Sequence, residues 1–178
     1  MKDNLLAKYD VDSVEELPVN FRGIVSQRSE AHHTEILNDF AEQQMQRESA
    51  QADIARRFGW ISPVIAVQTA SMKLAGTDLE NYQRFLREAE AVRFDFVQTL
   101  NKLHAEGMTY QQDANKYTSA EAKKAATVSA VNWQMLDDFH FTPLSAQARF
   151  ANSAMAIVQL FFALAVVVGM IIFAGRRL

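Results

Sequence analysis

The chain has 178 residues, which is enough for one compact domain and one membrane-spanning helix. It contains no cysteine, and this excludes disulfides, thiol catalysis and cysteine metal sites. All 21 acidic residues but only 16 of the 18 basic residues precede residue 154, so this part of the chain has a formal charge of −5. An acidic surface repels nucleic acid, and we expect no nucleic-acid partner.

The first third of the chain predicts helices that are separated by turns. Residues 2–9 form a short predicted helix, and residues 20–24 are predicted to be a loop that pivots on Gly23. From about Arg28 to Gly59 no proline or glycine interrupts the sequence, which predicts one long helix. Its middle is polar almost all round, so we expect it to be exposed or to bind a partner.

Strong start and stop signals follow at residues 62–80. Ser62 is the predicted N-cap of a helix that begins at Pro63, and Gly76 is its predicted stop. Thr77 and Glu80 have the spacing of a capping box, which predicts the start of the next helix.

The next helix has the clearest apolar periodicity in the chain, and Gly107 is predicted to end it. Apolar residues recur every three or four positions, and Arg93 interrupts the apolar face. We expect Arg93 to pair with an acidic residue of a neighbouring helix, to extend its charged end to solvent, or to bind a substrate. Because this helix and the one before Gly59 are both long, we expect them to be antiparallel.

The chain after Gly107 is predicted to be less regular until it reaches the last helix. Residues 107–117 are a predicted polar turn, and Thr118 with Glu121 predicts a short helix to about Ala130. The aromatic stretch from Trp133 to Leu144 is predicted to lie at a membrane interface. We therefore divide the chain into a helical domain, residues 1–143, and a membrane segment, residues 144–178.

Residues 154–175 predict a transmembrane helix. These 22 residues have no charge, and a helix of that length spans about 33 Å. Gln159 is the strongly polar residue of the stretch, and Ala165 with Gly169 forms a small-xxx-small pair. We expect these three residues to face helices that this chain does not supply.

The charges that flank the span predict its orientation. Arg176 and Arg177 follow it directly, whereas Arg149 is the nearby cation on the other side. Positive residues favour the cytoplasm, so we place the C-terminus there and residues 1–143 outside the cytoplasm of a bacterial inner membrane. The first residues do not resemble a secretory signal, so this orientation requires a further span upstream.

The sequence offers no support for an enzyme. It has no phosphate-binding GxxxxGK[ST] loop, no GxSxG and no HExxH, so we expect no catalytic residue and no cofactor. His32 and Glu35 can share a helical face, but two ligands are too few for a metal site, and we expect none. The lipid bilayer is the partner that composition alone predicts.

Two stretches, Leu5 to Gly23 and Ser62 to Arg93, resemble an uncharacterised domain family found in permease subunits of ABC type-2 transporters. The similarity is greatest at Val14 to Asn20 and in the turn that follows the Ser-Pro pair. The residues of this family-like turn are Ser62, Pro63, Leu74, Ala75, Gly76, Thr77 and Asp78, with Ser71 between them.

The resemblance implies the C-terminal part of an export permease: an extracytoplasmic domain and the last membrane span. Such a subunit works with a separate ATPase and with other permease helices, and it moves a substrate outward. Because permeases of this kind have several spans upstream, we expect the chain to be a fragment or a split gene product. The alternative is a membrane-anchored helical scaffold, with one span, that binds a partner protein.

Overall fold

A computed structural model of the chain describes residues 1–127 and 138–177, and every regular element in these ranges is a helix. The predicted mainly α fold with one apolar C-terminal helix is confirmed. The helices are α1 (Lys2–Tyr9), α2 (Phe21–Arg57), a 3₁₀ turn (Phe58–Trp60), α3 (Pro63–Ala75), α4 (Leu79–Gly107), α5 (Tyr110–Ala114), α6 (Ala120–Ala125) and α7 (Ala146–Gly175).

The chain forms two compact units. The first unit comprises Met1–Asp39 and Ala89–Phe139, and the second comprises Phe40–Glu88 and His140–Leu178. The helices α2 and α4 are long enough to contribute to both units. The helices α2 and α4 are antiparallel, as predicted. In the second unit Met45, late in α2, contacts Gln83, early in α4, and in the first unit Gln27, early in α2, contacts Gln98, late in α4.

In the first unit the two helices approach closely through glycine and alanine. A methyl group added at Gly23 would lie 2.6 Å from the Cα atom of Ala105. The backbone amide of Asn20, just before α2, donates to the carbonyl oxygen of Ala105 at 2.7 Å. The predicted loop at residues 20–24 is therefore wrong. Gly23 lies inside α2, where its missing side chain permits close helix contact rather than a turn.

In the second unit, Gln83 joins the two long helices. Its amide nitrogen donates to the carbonyl oxygen of Met45 at 3.0 Å, and the hydroxyl of Ser49 donates to its oxygen at 3.2 Å. Helix α3 then packs antiparallel on α7. The buried residues of this contact are small, which allows the helices to lie close together: Ala66, Ala70, Ser153 and Ala156.

The two short helices after α4 differ from the predictions. The predicted turn at residues 107–117 contains α5, whose capping box is formed by Thr109 and Gln112. Helix α6 is capped by Ser119 rather than Thr118, and it ends at Ala125. Short polar helices of this kind have little apolar periodicity, so only their caps reveal them. The stretch 128–137, which includes part of the predicted interface segment, lies outside the described residues.

The start of α4 also differs from the predicted capping box. The carboxylate of Asp78 accepts a hydrogen bond from the backbone amide of Asn81 at 3.1 Å, so Asp78 rather than Thr77 is the capping residue. Thr77 instead closes α3, because its amide donates to the carbonyl oxygen of Met72 at 2.9 Å.

Candidate functional site at the base of the C-terminal helix

Helix α7 begins before its apolar stretch. The hydroxyl of Ser145 accepts a hydrogen bond from the amide of Ala148 at 3.2 Å and caps the helix. The helix has 30 residues, so its length is about 45 Å. In the ranges that the structure describes, it is the one helix long and apolar enough to cross a membrane. The protein thus has an apolar C-terminal helix that could anchor it in a membrane.

The two halves of α7 have different surroundings. Three residues of the first half, Ser153, Ala156 and Gln159, are buried against the chain's own second unit. None of the described residues after Gln159 is buried. Ala165 is exposed, and a methyl group added at Gly169 would meet no described atom within 4 Å. The small-xxx-small pair therefore lies on an open surface of the second half.

Gln159 contacts its own chain, contrary to the expectation that it faces helices from elsewhere. Its amide nitrogen donates to the carbonyl oxygen of Arg56 at 3.2 Å, and its side chain lies against Gly59. The amide occupies the space that a side chain at position 59 would need, so a substitution of Gly59 would make the amide of Gln159 move. The one strongly polar side chain of the apolar stretch thus binds the 3₁₀ turn to α7.

The family-like turn lies against the start of α7. Gly76 has a φ of 75°, the left-handed conformation that glycine adopts readily, and it ends α3 as predicted. One guanidinium nitrogen of Arg149 donates to the carbonyl oxygen of Ala75 at 3.3 Å. Pro63 occupies the first turn of α3, and Ser62 precedes it without a side-chain capping bond. The turn is therefore a packing element that positions α3 on α7.

An open cavity of about 360 Å³ lies between the end of α2, α3 and α7. Its lining combines cations, amides and apolar side chains: Asp53, Arg56, Arg57, Trp60, Thr69, Lys73, Asn152, Met155, Ala156 and Gln159. The ring of Trp60 contacts Phe162 edge-on, with 5.4 Å between the ring centres. Sequence reasoning missed this cavity, because its residues come from three separate stretches of the chain.

Arg56 is held by two carboxylates beside the cavity. It pairs with Asp53 at 3.0 Å and with Glu80 at 2.5 Å. Partial burial acts to raise the pKa of Glu80, but a hydrogen bond from its own backbone amide and the charges of Arg56 and Lys73 outweigh burial. The pKa of Glu80 is therefore below its ordinary value, and its carboxylate stays ionised beside Arg56.

Arg93 lies in the first unit and forms a pair with acidic residues on two helices. Its guanidinium contacts Glu90 of α4 at 2.8 Å and Glu30 of α2 at 2.7 Å, and it donates to the hydroxyl of Thr34 at 3.1 Å. The carboxylates of Glu90 and Glu30 raise the pKa of Arg93. Of the roles considered for Arg93, the structure thus places it in an interhelical ion pair.

Sequence reasoning also missed a buried carboxylate in the first unit. Asp113 of α5 is almost fully buried, and it faces Lys116 at 2.8 Å, Arg22 at 3.4 Å and His104 at 3.5 Å. Burial acts to raise the pKa of Asp113, but Lys116 and His104 outweigh burial and hold the pKa below its ordinary value. This cluster joins α5 to the ends of α2 and α4.

Neither the cluster around Asp113 nor the other histidines form a metal site in the described ranges. No group of three histidine, aspartate or glutamate side chains converges there as metal ligands would. His32 and Glu35 lie 3.8 Å apart on the surface of α2.

The two predicted anchor arginines lie at the end of α7. The guanidinium of Arg177 lies 4.3 Å from the ring centre of Phe173, and Arg176 follows α7 directly.

Comparison with known proteins supplies a family but no activity. Residues 1–142 match the model of a family described as a domain of unknown function, DUF3526. The chain belongs to this family. None of the curated proteins matches the chain. None of the solved structures matches it either.

The family match ends before α7 begins, so the candidate site combines two parts of the chain. Arg57, Trp60 and Lys73 lie inside the matched region, whereas Asn152 and Gln159 belong to α7. The cavity therefore exists only where the family domain packs on the apolar helix.

Proposed function

We propose that this chain is the C-terminal part of an ABC-type type-2 export permease subunit. In this proposal, α7 is the last membrane span, and the helical domain lies outside the cytoplasm of a bacterial inner membrane. A separate ATPase subunit supplies the energy, and other permease helices complete the transport path. The chain itself carries out no ATP hydrolysis.

The observation that carries this proposal is the open second half of α7. After Phe162 the helix has no buried residue among those described, and Ala165 and Gly169 form a small-residue face on it. In lipid, apolar side chains alone do not drive helix association, but small residues let two helices approach closely. The face therefore suits contact with further spans of a permease.

The contacts of the second unit suggest how movement would pass from the membrane to the domain. Arg149 and Gln159 of the first half of α7, with Phe162 just beyond it, attach the helix to α3, the end of α2 and the 3₁₀ turn. The hydrogen bond to the carbonyl of Arg56 connects α7 to the end of α2. When ATP binding on the partner subunit tilts the spans, α3 and the adjoining part of α2 would move with α7 and gate the exit.

A matched pair of variants tests the contact with other spans. Gly169→Leu should reduce co-purification of the ATPase subunit and the remaining permease helices from native membranes by about tenfold, because it blocks close approach. The control Val167→Leu leaves the small-residue face intact and should co-purify normally. Retention of the ATPase by Gly169→Leu, or its absence from the wild-type preparation, would contradict the proposal.

Genomic context gives an independent test. The reading frame upstream of Met1 should continue into further apolar spans, and an ATPase gene should lie beside it. A ribosome-binding site directly before Met1, with no transporter genes nearby, would instead favour the scaffold. Transport assays would then identify the substrate.

The orientation can be tested because the natural chain has no cysteine. The fold brings Arg56, Arg57 and Lys73 to the same end of α7 as Arg149, so the charge difference between the two flanks is smaller than the sequence suggested. A cysteine introduced by Glu35→Cys should react with a membrane-impermeant maleimide in intact cells. A cysteine introduced by Arg177→Cys should react only after lysis, and the reverse pattern would place the domain in the cytoplasm.

A specific observation supports the scaffold as the second candidate. Ile36 and Leu37 on α2 are 53% and 60% exposed, although both are large and apolar. Adjacent exposed apolar side chains are typical of a protein-binding surface. Ile36→Ser with Leu37→Ser should abolish partner capture if the chain is a scaffold. The same double substitution should leave binding of the ATPase subunit unchanged if the chain is a permease part that contacts its partners through α7.

A further inference from the structure

The base of α7 is locally basic on a domain that is acidic overall. Arg56, Arg57 and Lys73 line the cavity there, and Asp53 is the one acidic residue of the lining among the described residues. Arg149 lies one turn before Asn152 on α7. The part of the chain before residue 154 carries an excess of acidic residues, so this concentration of cations is not explained by composition.

Two of these cations form no ion pair with the described residues, although the charge of Lys73 acts on Glu80 from a longer distance. Arg56 is occupied by Asp53 and Glu80, but no carboxylate of the described residues forms an ion pair with Arg57 or Lys73. Thr69 and Asn152 add uncharged polar groups to the same lining. The Nε atom of Arg149 is buried and has no acceptor among the described residues. Donors and positive charge therefore exceed acceptors around this end of α7.

The cavity also lies at the depth of a membrane surface. From Ala156, which lines it, to Gly175 at the end of α7, the helix rises about 29 Å, close to the thickness of a hydrocarbon core. If Arg176 marks one surface of the membrane, the cavity lies at the other. Trp60 at its edge is the residue type that favours this interface.

Exposed apolar side chains occur on both α3 and α7, the helices that line the cavity. Ile61, Val64 and Val67, on the 3₁₀ turn and the outer face of α3, are 81%, 73% and 55% exposed. On α7, Met155 of the cavity lining and Phe162, whose ring contacts Trp60, are also exposed apolar side chains. A molecule bound here would meet positive charge in the cavity and apolar side chains next to it.

We propose that this cavity binds the phosphate headgroup of an anionic phospholipid. Arg57 and Lys73 contact the phosphate, Thr69 and Asn152 contact the polar headgroup, and the acyl chains lie along the exposed apolar side chains of α7. A volume of about 360 Å³ falls within the range of small-ligand sites. Basic pockets beside membrane helices are suited to this ligand class. The proposal requires α7 to be a span, but it does not require a permease.

Native mass spectrometry of the full chain tests the proposal. The purified protein is exchanged from detergent into mixed micelles that contain phosphatidylglycerol or phosphatidylcholine. We expect the wild type to retain one phosphatidylglycerol, and Arg57→Gln with Lys73→Gln to bind it about 30-fold more weakly, since each cation contributes about a fivefold factor near the surface. The control Arg47→Gln with Lys102→Gln removes two exposed cations elsewhere and should bind like the wild type.

Lipid contact can be located with Trp60. In a Trp133→Phe background, phosphatidylglycerol with brominated acyl chains should quench Trp60 fluorescence more strongly than brominated phosphatidylcholine does. Equal retention of the two lipids, or equal weakening by the cavity and control variants, would overturn the proposal. Displacement of phosphatidylglycerol by millimolar inorganic phosphate, with no difference in quenching, would assign the cavity to a free phosphate compound and would also overturn it.

Discussion

The two units contain parts of the same pair of long helices, but different interactions attach the remaining helices to them. In the first unit, α5 is held to the helix ends by a buried carboxylate, Asp113, among cations and polar groups. In the second unit, α3 is held to α7 by alanines and by one amide, Gln159. Loss of a buried charge should therefore damage the first unit in particular, whereas close packing of small residues limits side-chain size in both units, at Gly23 in the first and at Ala156 in the second.

Removal of the buried charge should have the largest effect. Asp113→Leu leaves the cations of Arg22, His104 and Lys116 without their shared acceptor, and we expect a loss of about 3 kcal/mol of unfolding free energy. Urea unfolding of the detergent-solubilised chain, followed by circular dichroism, measures it. Asp95→Leu removes an exposed carboxylate from the same unit and should cost less than about 0.5 kcal/mol. Equal effects of the two would contradict a structural role for the cluster.

Close helix contact in the first unit predicts the next largest effect. Gly23→Ala would bring a methyl group within 2.6 Å of the backbone of Ala105, which cannot rotate away, so we expect a loss of about 2 kcal/mol. Gly107→Ala, where an added methyl group meets no described atom within 4 Å, should be neutral or stabilising. The same unfolding measurement compares them. A stable Gly23→Ala variant would show that the helices can separate there without cost.

In the second unit, a larger residue should separate α3 from α7. Ala156→Leu places three more carbon atoms in a buried contact, and we expect a loss of about 1.5 kcal/mol. The control Ala154→Leu adds the same atoms to an exposed position on α7. Thermal unfolding in nanodiscs, with Trp60 fluorescence as the probe in a Trp133→Phe background, should separate the two variants. If Ala154→Leu proved equally harmful, the buried contact would not account for the effect.

The units should also differ in their response to acid. The pKa of Asp113 is lowered, so its contribution to stability is complete above its ordinary pKa and is lost as the pH falls through the lowered value. His104, Lys116 and Arg22 face this carboxylate. The stability difference between wild type and Asp113→Asn should therefore shrink from neutral pH to about pH 3. A difference that did not change with pH would show that ionisation of Asp113 is not what stabilises the unit.

The sequence predicted the elements whose evidence is local and periodic. The helix after Pro63, the stop at Gly76, the amphipathic helix to Gly107 and the apolar C-terminal helix all follow from spacing and caps. The role of Gly23 could not be predicted, because a glycine in sequence does not reveal whether it supplies a turn or permits a close approach. Asp113 was missed because its partners come from α2 and α4, far away in the chain.

The candidate site was less predictable than the fold for the same reason. Arg57 and Lys73 are ordinary surface cations in sequence, and only the packing of α3 on α7 brings them beside Asn152. Gln159 was correctly singled out as unusual, but its partner is a carbonyl of its own chain rather than another helix. Local patterns thus identified residues that need an explanation, and the tertiary contacts supplied it.

The smallest effect is expected at Arg93, where the ion pair is exposed. Its side chain is 42% exposed, and solvent weakens the attraction to Glu30 and Glu90. Arg93→Gln should therefore lower the unfolding free energy by about 0.5 kcal/mol only, although Arg93 is the charged residue that interrupts the apolar face of α4. Lys102→Gln, which removes an exposed cation from the same helix, is the control for charge alone. A double-mutant cycle with Glu30→Gln should give a coupling below about 1 kcal/mol, and a much larger value would mean that Arg93 is as important to the first unit as Asp113.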